Sequence, residues 1–232
     1  MTDDPDRSRQ GRDAVDAAVR VTLRPTATPL PISFLGLALA STVFAVVELG
    51  WLAPDQGRVA ALVAVAATVP LQLLAAVFGF LARDPVAGTG CALMAVTWAV
   101  TGLTTLTSPP GATVPGLGVL LLAAGAGTLV PATAGSATPL PAAVLALVGV
   151  RFAVTGVYQL TASPAWGATA GWVGLGVAGV AAYAALALEL EGVHHRAVLP
   201  VGRRGTARAA AQGDEVFDAG ELAREPGVRP RL

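Results

Sequence analysis

Charged residues are scarce in the middle of this 232-residue chain, and that scarcity excludes a soluble domain there. Of the 30 charged residues (15 basic and 15 acidic), 10 lie in residues 1–28 and 14 in residues 189–232, which leaves six in between. Six charges cannot provide a water-facing surface over the central 160 residues, because such surfaces need many polar and charged side chains. Lipid is therefore the expected solvent of the central region.

The sequence also has no lysine and a single cysteine, Cys91. One thiol excludes an intrachain disulfide and a zinc site built from several thiolates. The net charge is zero, so the charge balance does not indicate a nucleic-acid partner. The sequence shows no nucleophile–base pair, paired thiolates or phosphate-binding loop. We therefore expect a protein that is not an enzyme and that binds no metal or cofactor.

The central region consists of six long apolar runs, each bounded by proline, glycine or charge. Crossing ~30 Å of hydrocarbon takes roughly 20 helical residues at ~1.5 Å of rise per residue, which is the length of these runs. The sequence predicts an all-α integral membrane protein, a bundle of six transmembrane helices joined by short loops. The predicted spans are residues 32–52, 59–82, 86–106, 112–130, 139–160 and 166–188. Pro70 lies inside the second span and predicts a kink there.

The remaining sequence divides around this bundle. We predict four regions: an N-terminal segment (1–28), the transmembrane domain (29–190), a basic juxtamembrane segment (191–208) and a disordered C-terminal tail (209–232). Residues 1–28 contain five aspartates and no apolar run, so we expect no signal peptide there. The tail has no apolar periodicity, which is typical of disorder.

The distribution of arginine predicts the orientation in the membrane. An even number of spans places both termini on one side, where eight arginines lie close to the spans, against Arg58 alone on the other side. Because positively charged loops face the cytoplasm, both termini are predicted to be cytoplasmic. Trp51 and Trp166 then fall at the outer interface, where indole rings are enriched.

Two ionisable residues, Glu48 and Arg151, are predicted to lie well inside spans. An unpaired charge at mid-bilayer costs at least ~2.5–3.5 kcal/mol, so we hypothesise that they pair across the bundle and leave part of the arginine charge to attract an anion. The alternatives are a pair that only stabilises the bundle, or two side chains that reach water separately. Gln72, Thr97 and Thr128 are neutral, and they either hydrogen-bond between helices or line a polar pore.

The end of the sixth span carries the most specific motif of the chain. The motif consists of Gly171, Trp172, Gly174, Tyr183, Arg196, Leu199 and Pro200. It is similar to the pattern GWxGL…Y…R-x-VLPxG of the acetate uptake transporter family, the bacterial succinate–acetate permeases and their fungal relatives. Pro29 and Pro31 match the Asn-Pro-x-Pro motif before the family's first span, with Thr28 in place of Asn. The resemblance covers about residues 28–202.

This resemblance implies a channel-like carrier for a small monocarboxylate such as acetate, in a bacterial inner membrane. It also implies a homo-oligomer, hexameric in the family, with one path through each protomer. Relatives narrow each path with apolar side chains at the positions of Leu37, Met94 and Val148. The aromatic rings expected at the first two positions are missing, which predicts a wider or differently selective gate. Proton coupling is open at this point.

Other departures from the family favour a different class of function. Gly79 and Phe80 replace a Glu-Tyr pair at the end of the second span, and residues 91–95 replace a Phe-Thr-Ser-Tyr-Gly stretch in the third. The alternative is therefore a membrane scaffold or sensor that kept the family fold and lost transport. A channel for a neutral solute such as ammonia is a third possibility. Whether the purified protein moves a small anion across liposomes separates these hypotheses.

Overall fold

The computed structural model describes residues 27–135, 139–194 and 197–202, and this part of the chain contains six helices long and apolar enough to cross a membrane. The predicted fold class, an all-α bundle of six membrane-spanning helices, is confirmed. The helices are α1 (Leu30–Glu48), α2 (Pro54–Leu81), α3 (Pro85–Thr107), α4 (Pro115–Ala134), α5 (Pro139–Thr161) and α6 (Pro164–His194). The predicted N-terminal segment over residues 1–26, the predicted C-terminal tail and Arg196 lie outside the described residues.

Proline begins five of the six helices, α2 to α6. A proline at the first helical position costs little, because the amide hydrogens of a first turn have no partner inside the helix. In α3 this start is reinforced by Asp84, whose side chain accepts a hydrogen bond of 2.9 Å from the backbone N–H of Ala87. The sequence therefore encodes helix starts more sharply than helix ends.

The helix ends differ from those predicted from hydropathy. Helix α1 ends at Glu48, four residues earlier than expected, because the chain turns at Gly50 with a positive φ of 70°. Helix α6 instead continues to His194, past position 190 at which the sequence placed the end of the membrane domain. Glu48 is consequently the last residue of its helix and precedes the α1–α2 turn.

The irregularity expected at Pro70 lies just before it. Helix α2 begins as a 3-10 turn (Pro54–Gln56), continues as α-helix (Gly57–Val63), passes through a π-helical turn (Ala64–Thr68) and resumes as α-helix (Val69–Leu81). Proline lacks the N–H needed for regular helical bonding, so the widened turn precedes it. Within that turn, the Thr68 hydroxyl donates a buried hydrogen bond of 2.7 Å to the carbonyl of Gly36 in α1.

Helices α4 and α5 pack closely through glycine. A Cβ at Gly118 or at Gly156 would lie 2.9 Å from the carbonyl oxygen of the other residue. About two turns further along α4, a Cβ at Gly125 would lie 2.8 Å from the Gly149 carbonyl oxygen. A Cβ at Gly149 would lie 2.9 Å from the Gly125 carbonyl oxygen. Helices in lipid associate through such small residues because no hydrophobic effect drives them together.

Helix α6 packs along α1 and α5, and the described segment after it returns to the bundle. The Tyr183 hydroxyl donates a hydrogen bond of 3.0 Å to the carbonyl of Pro200. Val201 is buried, and Gly202, which has a φ of 72°, lies against Pro139 at the start of α5. The end of the described chain is thus held against one end of the bundle, opposite the end where Glu48 lies.

Candidate functional site

The structure brings Glu48 and Arg151 together. Nη2 of Arg151 lies 2.6 Å from Oε2 of Glu48, and the two side chains are only 3% and 10% exposed, Arg151 being the more buried. Glu48 ends α1 and Arg151 lies near the middle of α5, so the long arginine side chain spans the difference in depth. This ion pair thus links α1 and α5, two helices that are far apart in the sequence.

The same guanidinium also contacts two neutral groups. Nη1 of Arg151 donates a hydrogen bond of 2.9 Å to the Thr155 hydroxyl and one of 2.6 Å to the backbone carbonyl of Ala170 in α6. Nε of Arg151 is buried without a hydrogen-bond partner among the described residues. A buried charge is tolerated when it is paired and hydrogen-bonded, and here three helices share that task. The Nε donor of the guanidinium is thus unused among the described residues.

Glycine and alanine make the space that the guanidinium occupies. A Cβ at Gly174 would lie 3.0 Å from Nε of Arg151, 3.1 Å from its Cζ and 3.0 Å from Cβ of Ala45. Gly174 therefore lets α6 approach Arg151 closely, which allows the guanidinium to contact the Ala170 carbonyl of the same helix. The motif resemblance selected Gly174 but gave no reason for glycine at that position.

A cavity of about 250 Å³ lies above the ion pair, which we call the vestibule. The polar and charged residues that line it include Glu48, Arg58, Thr104, Thr105, Tyr158 and Gln159. The α3–α4 loop forms one wall, which is fixed by a hydrogen bond of 2.7 Å from the backbone N–H of Val114 to the Gln159 side chain. Arg58, exposed at the rim, places a second positive charge beside the cavity. The vestibule thus joins a cation at its rim to the buried pair.

A second, smaller cavity of about 20 Å³ touches both members of the pair. Its other walls are Phe44, Trp98, Thr101, Leu121, Phe152 and Thr155. This space is about that of a single water molecule. The indole ring of Trp98 packs between Phe44 and Phe152, with ring centroids 5.6 and 5.9 Å away. Its Nε1–H is buried without a hydrogen-bond partner among the described residues.

The three residues assigned to the apolar constriction are all fully buried. Leu37 in α1, Met94 in α3 and Val148 in α5 have no exposed surface and belong to one continuous apolar core. Gln72 of α2 is also fully buried, with its Nε2 3.9 Å from the Met94 sulfur and its Oε1 without a partner among the described residues. The side-chain acceptor of Gln72 is therefore unused within the described part of the chain.

The two threonines proposed as pore lining bond within their own helices. The Thr97 hydroxyl donates to the Leu93 carbonyl and the Thr128 hydroxyl donates to the Gly125 carbonyl, each at 2.8 Å. Thr128 also lies at the α4–α5 contact, where a Cβ on Gly149 would come within 2.7 Å of its hydroxyl oxygen. Their hydroxyl hydrogens are thus already used, and only their oxygen lone pairs remain available.

The residues of the recognised motif are placed in several different environments. Pro29 precedes α1 and Pro31 is buried in its first turn. A Cβ at Gly171 would come within 2.5 Å of a Leu49 side-chain atom, so this glycine permits the α1–α6 contact. Trp172 is exposed and meets Trp51 edge-to-face at 5.7 Å. Leu199 packs on the apolar core.

The neutral members of the site were not predicted from the sequence. Thr155 lies four residues after Arg151, a spacing that brings side chains together on a helix and that is visible in the sequence. The Ala170 carbonyl gives no signal in a sequence, because any residue has one. In the described ranges, no three His, Cys, Asp or Glu side chains are grouped in a way that could hold a metal ion.

Comparison with known proteins identifies the class of fold. No known protein-family model matches the sequence, and no curated protein matches it. A solved structure is similar: that of the bacterial acetate channel SatP, at 23% sequence identity and a TM-score of 0.67. The match covers 76% of this chain and 99% of the SatP chain. The protein therefore has the fold of a membrane channel, and the alignment extends over the whole of that channel.

Proposed function

We propose that this protein is a membrane transporter or channel for a small monocarboxylate such as acetate, and a divergent member of the acetate uptake transporter family. The observation that carries the proposal is a buried arginine paired with Glu48, which lines the vestibule, in a chain with the fold of an acetate channel. Guanidinium is the side chain best suited to a carboxylate, because its planar donors match two carboxylate oxygens.

The proposed path has two parts in series. The anion is first attracted into the vestibule by Arg58, since a positive charge beside a cleft raises the local concentration of anions, and it then reaches Arg151 behind Glu48. It then passes the apolar core at Leu37, Met94 and Val148, which admits a carboxylate more readily in its neutral, protonated form. Both parts lie within one chain, so each protomer has its own path.

The fold also supports proposals about assembly and orientation. An apolar groove between α1 and α6 faces outward from the bundle, and it is lined by residues such as Leu35, Leu39, Leu175 and Gly179. Such a face suits packing against a second protomer in lipid. We propose a homo-oligomer, a hexamer by analogy, in a bacterial inner membrane with both termini in the cytoplasm. Cross-linking in native membranes gives the stoichiometry.

Liposome flux tests the proposal. The purified protein is reconstituted, and uptake of labelled acetate, propionate, lactate and succinate is compared with that of empty liposomes, because neutral acids also cross lipid unaided. We expect protein-dependent acetate uptake that rises as the external pH falls from 7 to 5. At a pH above the pKa of a carboxylic acid, each unit by which the pH falls raises the neutral fraction about tenfold. Absence of protein-dependent flux for all four would favour the non-transporting scaffold.

A further inference from the structure

Glu48 lines the vestibule, and Arg151 pairs with it from behind, with the two side chains 10% and 3% exposed. Arg151 and Glu48 neutralise each other at 2.6 Å, and a substrate carboxylate that arrived there as an anion would be a third, uncompensated charge. A charge without a partner in a buried site is unfavourable. A carboxylate can therefore bind to Arg151 only if the negative charge of Glu48 is removed.

We propose that Glu48 accepts a proton during transport and that Arg151 then exchanges the Glu48 carboxylate for the carboxylate of the substrate. This inference rests on the proposed function, and it makes the protein a proton–monocarboxylate cotransporter with a coupling ratio of one to one. Arg151 binds the substrate, and Glu48 is the group that carries the proton.

The exchange balances in atoms and in charge. A neutral acid enters, its O–H bond breaks, and a new O–H bond forms on a carboxylate oxygen of Glu48. The substrate anion takes the place beside Arg151 that the Glu48 anion leaves. The net charge of the site is zero before and after, with one cation and one anion in each state. On release the proton returns to the substrate, which leaves as a neutral acid, and the Glu48–Arg151 pair re-forms.

The surroundings provide the donors and the space for this exchange. The walls of the smaller cavity beside the pair include Trp98 and Thr155. Two buried donors, Nε of Arg151 itself and Nε1 of Trp98, lack partners among the described residues. At about 20 Å³ this cavity holds about one water molecule. Together with the volume that Glu48 vacates, it accommodates a carboxylate group rather than a bulky acid. We therefore expect acetate and propionate to bind better than larger monocarboxylates.

No other acid competes for the proton among the described residues that line the two cavities. The titratable or charged groups facing Glu48 are Arg151 and Tyr158 from α5 and Arg58 from the start of α2. The α3 and α4 residues that line the cavities are neutral, and α6 contributes the Ala170 carbonyl and Gly174. Arginine and tyrosine keep one protonation state between pH 5 and pH 8. Glu48 is thus the group whose charge changes.

Acetate affinity as a function of pH tests the exchange. Acetate is titrated into the full-length protein in detergent between pH 6 and pH 8, and binding is followed by tryptophan fluorescence. Because one proton is taken up per acetate, the apparent Kd of the wild type should rise about tenfold per pH unit. Glu48→Gln mimics the protonated state, so its Kd should be low and independent of pH. Arg151→Gln should abolish binding.

Asp55→Asn is the matched control, because it removes an exposed carboxylate near the same end of the bundle that does not line either cavity. It should keep the wild-type slope. A Glu48→Gln protein whose affinity still changes tenfold per pH unit would show that the site binds the neutral acid without Glu48, and this would overturn the inference. A wild-type affinity independent of pH would overturn it as well.

A flux measurement on the wild type keeps the test valid if Glu48→Gln does not fold. Proton–acetate cotransport moves no net charge, so protein-dependent uptake should not respond to a potassium diffusion potential set with valinomycin. Uptake that follows the potential would mean passage of the free anion, and would overturn the inference while the proposed function stands. Absence of protein-dependent flux would instead overturn the proposed function itself.

Discussion

Replacing Gly174 by alanine should destabilise the protein, although alanine is the better helix former. The new Cβ would lie 3.0 Å from Nε of Arg151 and 3.0 Å from Cβ of Ala45, whereas ordinary van der Waals contact begins at 3.4 Å. One side therefore has to move by about 0.4 Å, the difference between these distances. The guanidinium cannot easily do so, because contacts of 2.6 Å to Glu48 and to the Ala170 carbonyl hold it.

The control is Gly176→Ala, two residues along the same helix, where the new Cβ would meet nothing within 4 Å. Both variants gain the same propensity term, about 1 kcal/mol in favour of alanine. The difference between the two variants is therefore the overpacking cost alone, which is typically about 1–3 kcal/mol. Relative to the wild type, Gly176→Ala should be equally stable or slightly more stable. Gly174→Ala should be less stable than Gly176→Ala by the overpacking cost.

Thermal unfolding in detergent measures this difference. For a chain of this length, each kcal/mol corresponds to roughly 2–4 °C in Tm, so Gly174→Ala should melt several degrees below Gly176→Ala. The acetate affinity of Gly174→Ala should also fall, since the guanidinium is displaced from its partners. Equal melting temperatures for the two alanine variants would refute the packing described around Arg151.

Three further results are expected. Met94→Trp should block acetate uptake, because the larger side chain fills the apolar core. Val96→Trp, at an exposed position of the same helix, should not block it. Equal flux through the two variants would show that the path lies elsewhere. Tyr183→Phe should cost about 1 kcal/mol for its lost hydrogen bond and speed proteolysis within residues 197–202, and an unchanged cleavage rate would contradict this. Truncating Arg151 or Glu48 alone should lower the free energy of unfolding by about 3–5 kcal/mol, because the other charge is left buried without its partner. Replacing both by apolar residues should be neutral or stabilising by about 1–4 kcal/mol. A double variant that shows the sum of the two single losses would contradict this.

The number and type of helices followed from the sequence because the bilayer sets a length and forbids unpaired backbone groups. Their ends did not, since hydropathy is insensitive to where the backbone turns. Gly50 closes α1 early, while α6 continues to His194 through residues that include two glutamates. The π-helical turn before Pro70 was likewise beyond prediction, because a proline indicates that helical bonding is interrupted but not how it is rearranged.

The pairing of Glu48 with Arg151 was suggested by the sequence for a simple reason: two opposite charges in apolar surroundings have few other partners. Their environment could not be predicted in the same way. Whether the Ala170 carbonyl and Gly174 face Arg151 depends on the rotation of α6 about its axis. Small residues such as Ala170, Gly174, Gly176 and Gly179 lie on different faces of α6, so the sequence allows several rotations and only packing against α1 and α5 selects one.

Stability alone does not account for the composition of this site. A buried ion pair is often no more stabilising than an apolar pair of similar volume. Gly174 in the middle of a helix costs about 1 kcal/mol relative to alanine, and Trp98 keeps a buried N–H without a partner among the described residues. The ion pair and Trp98 meet beside one small cavity, and Gly174 lies against the guanidinium. The exchange proposed above needs a fixed cation, a displaceable anion and an unused donor, and Arg151, Glu48 and Trp98 provide these three groups.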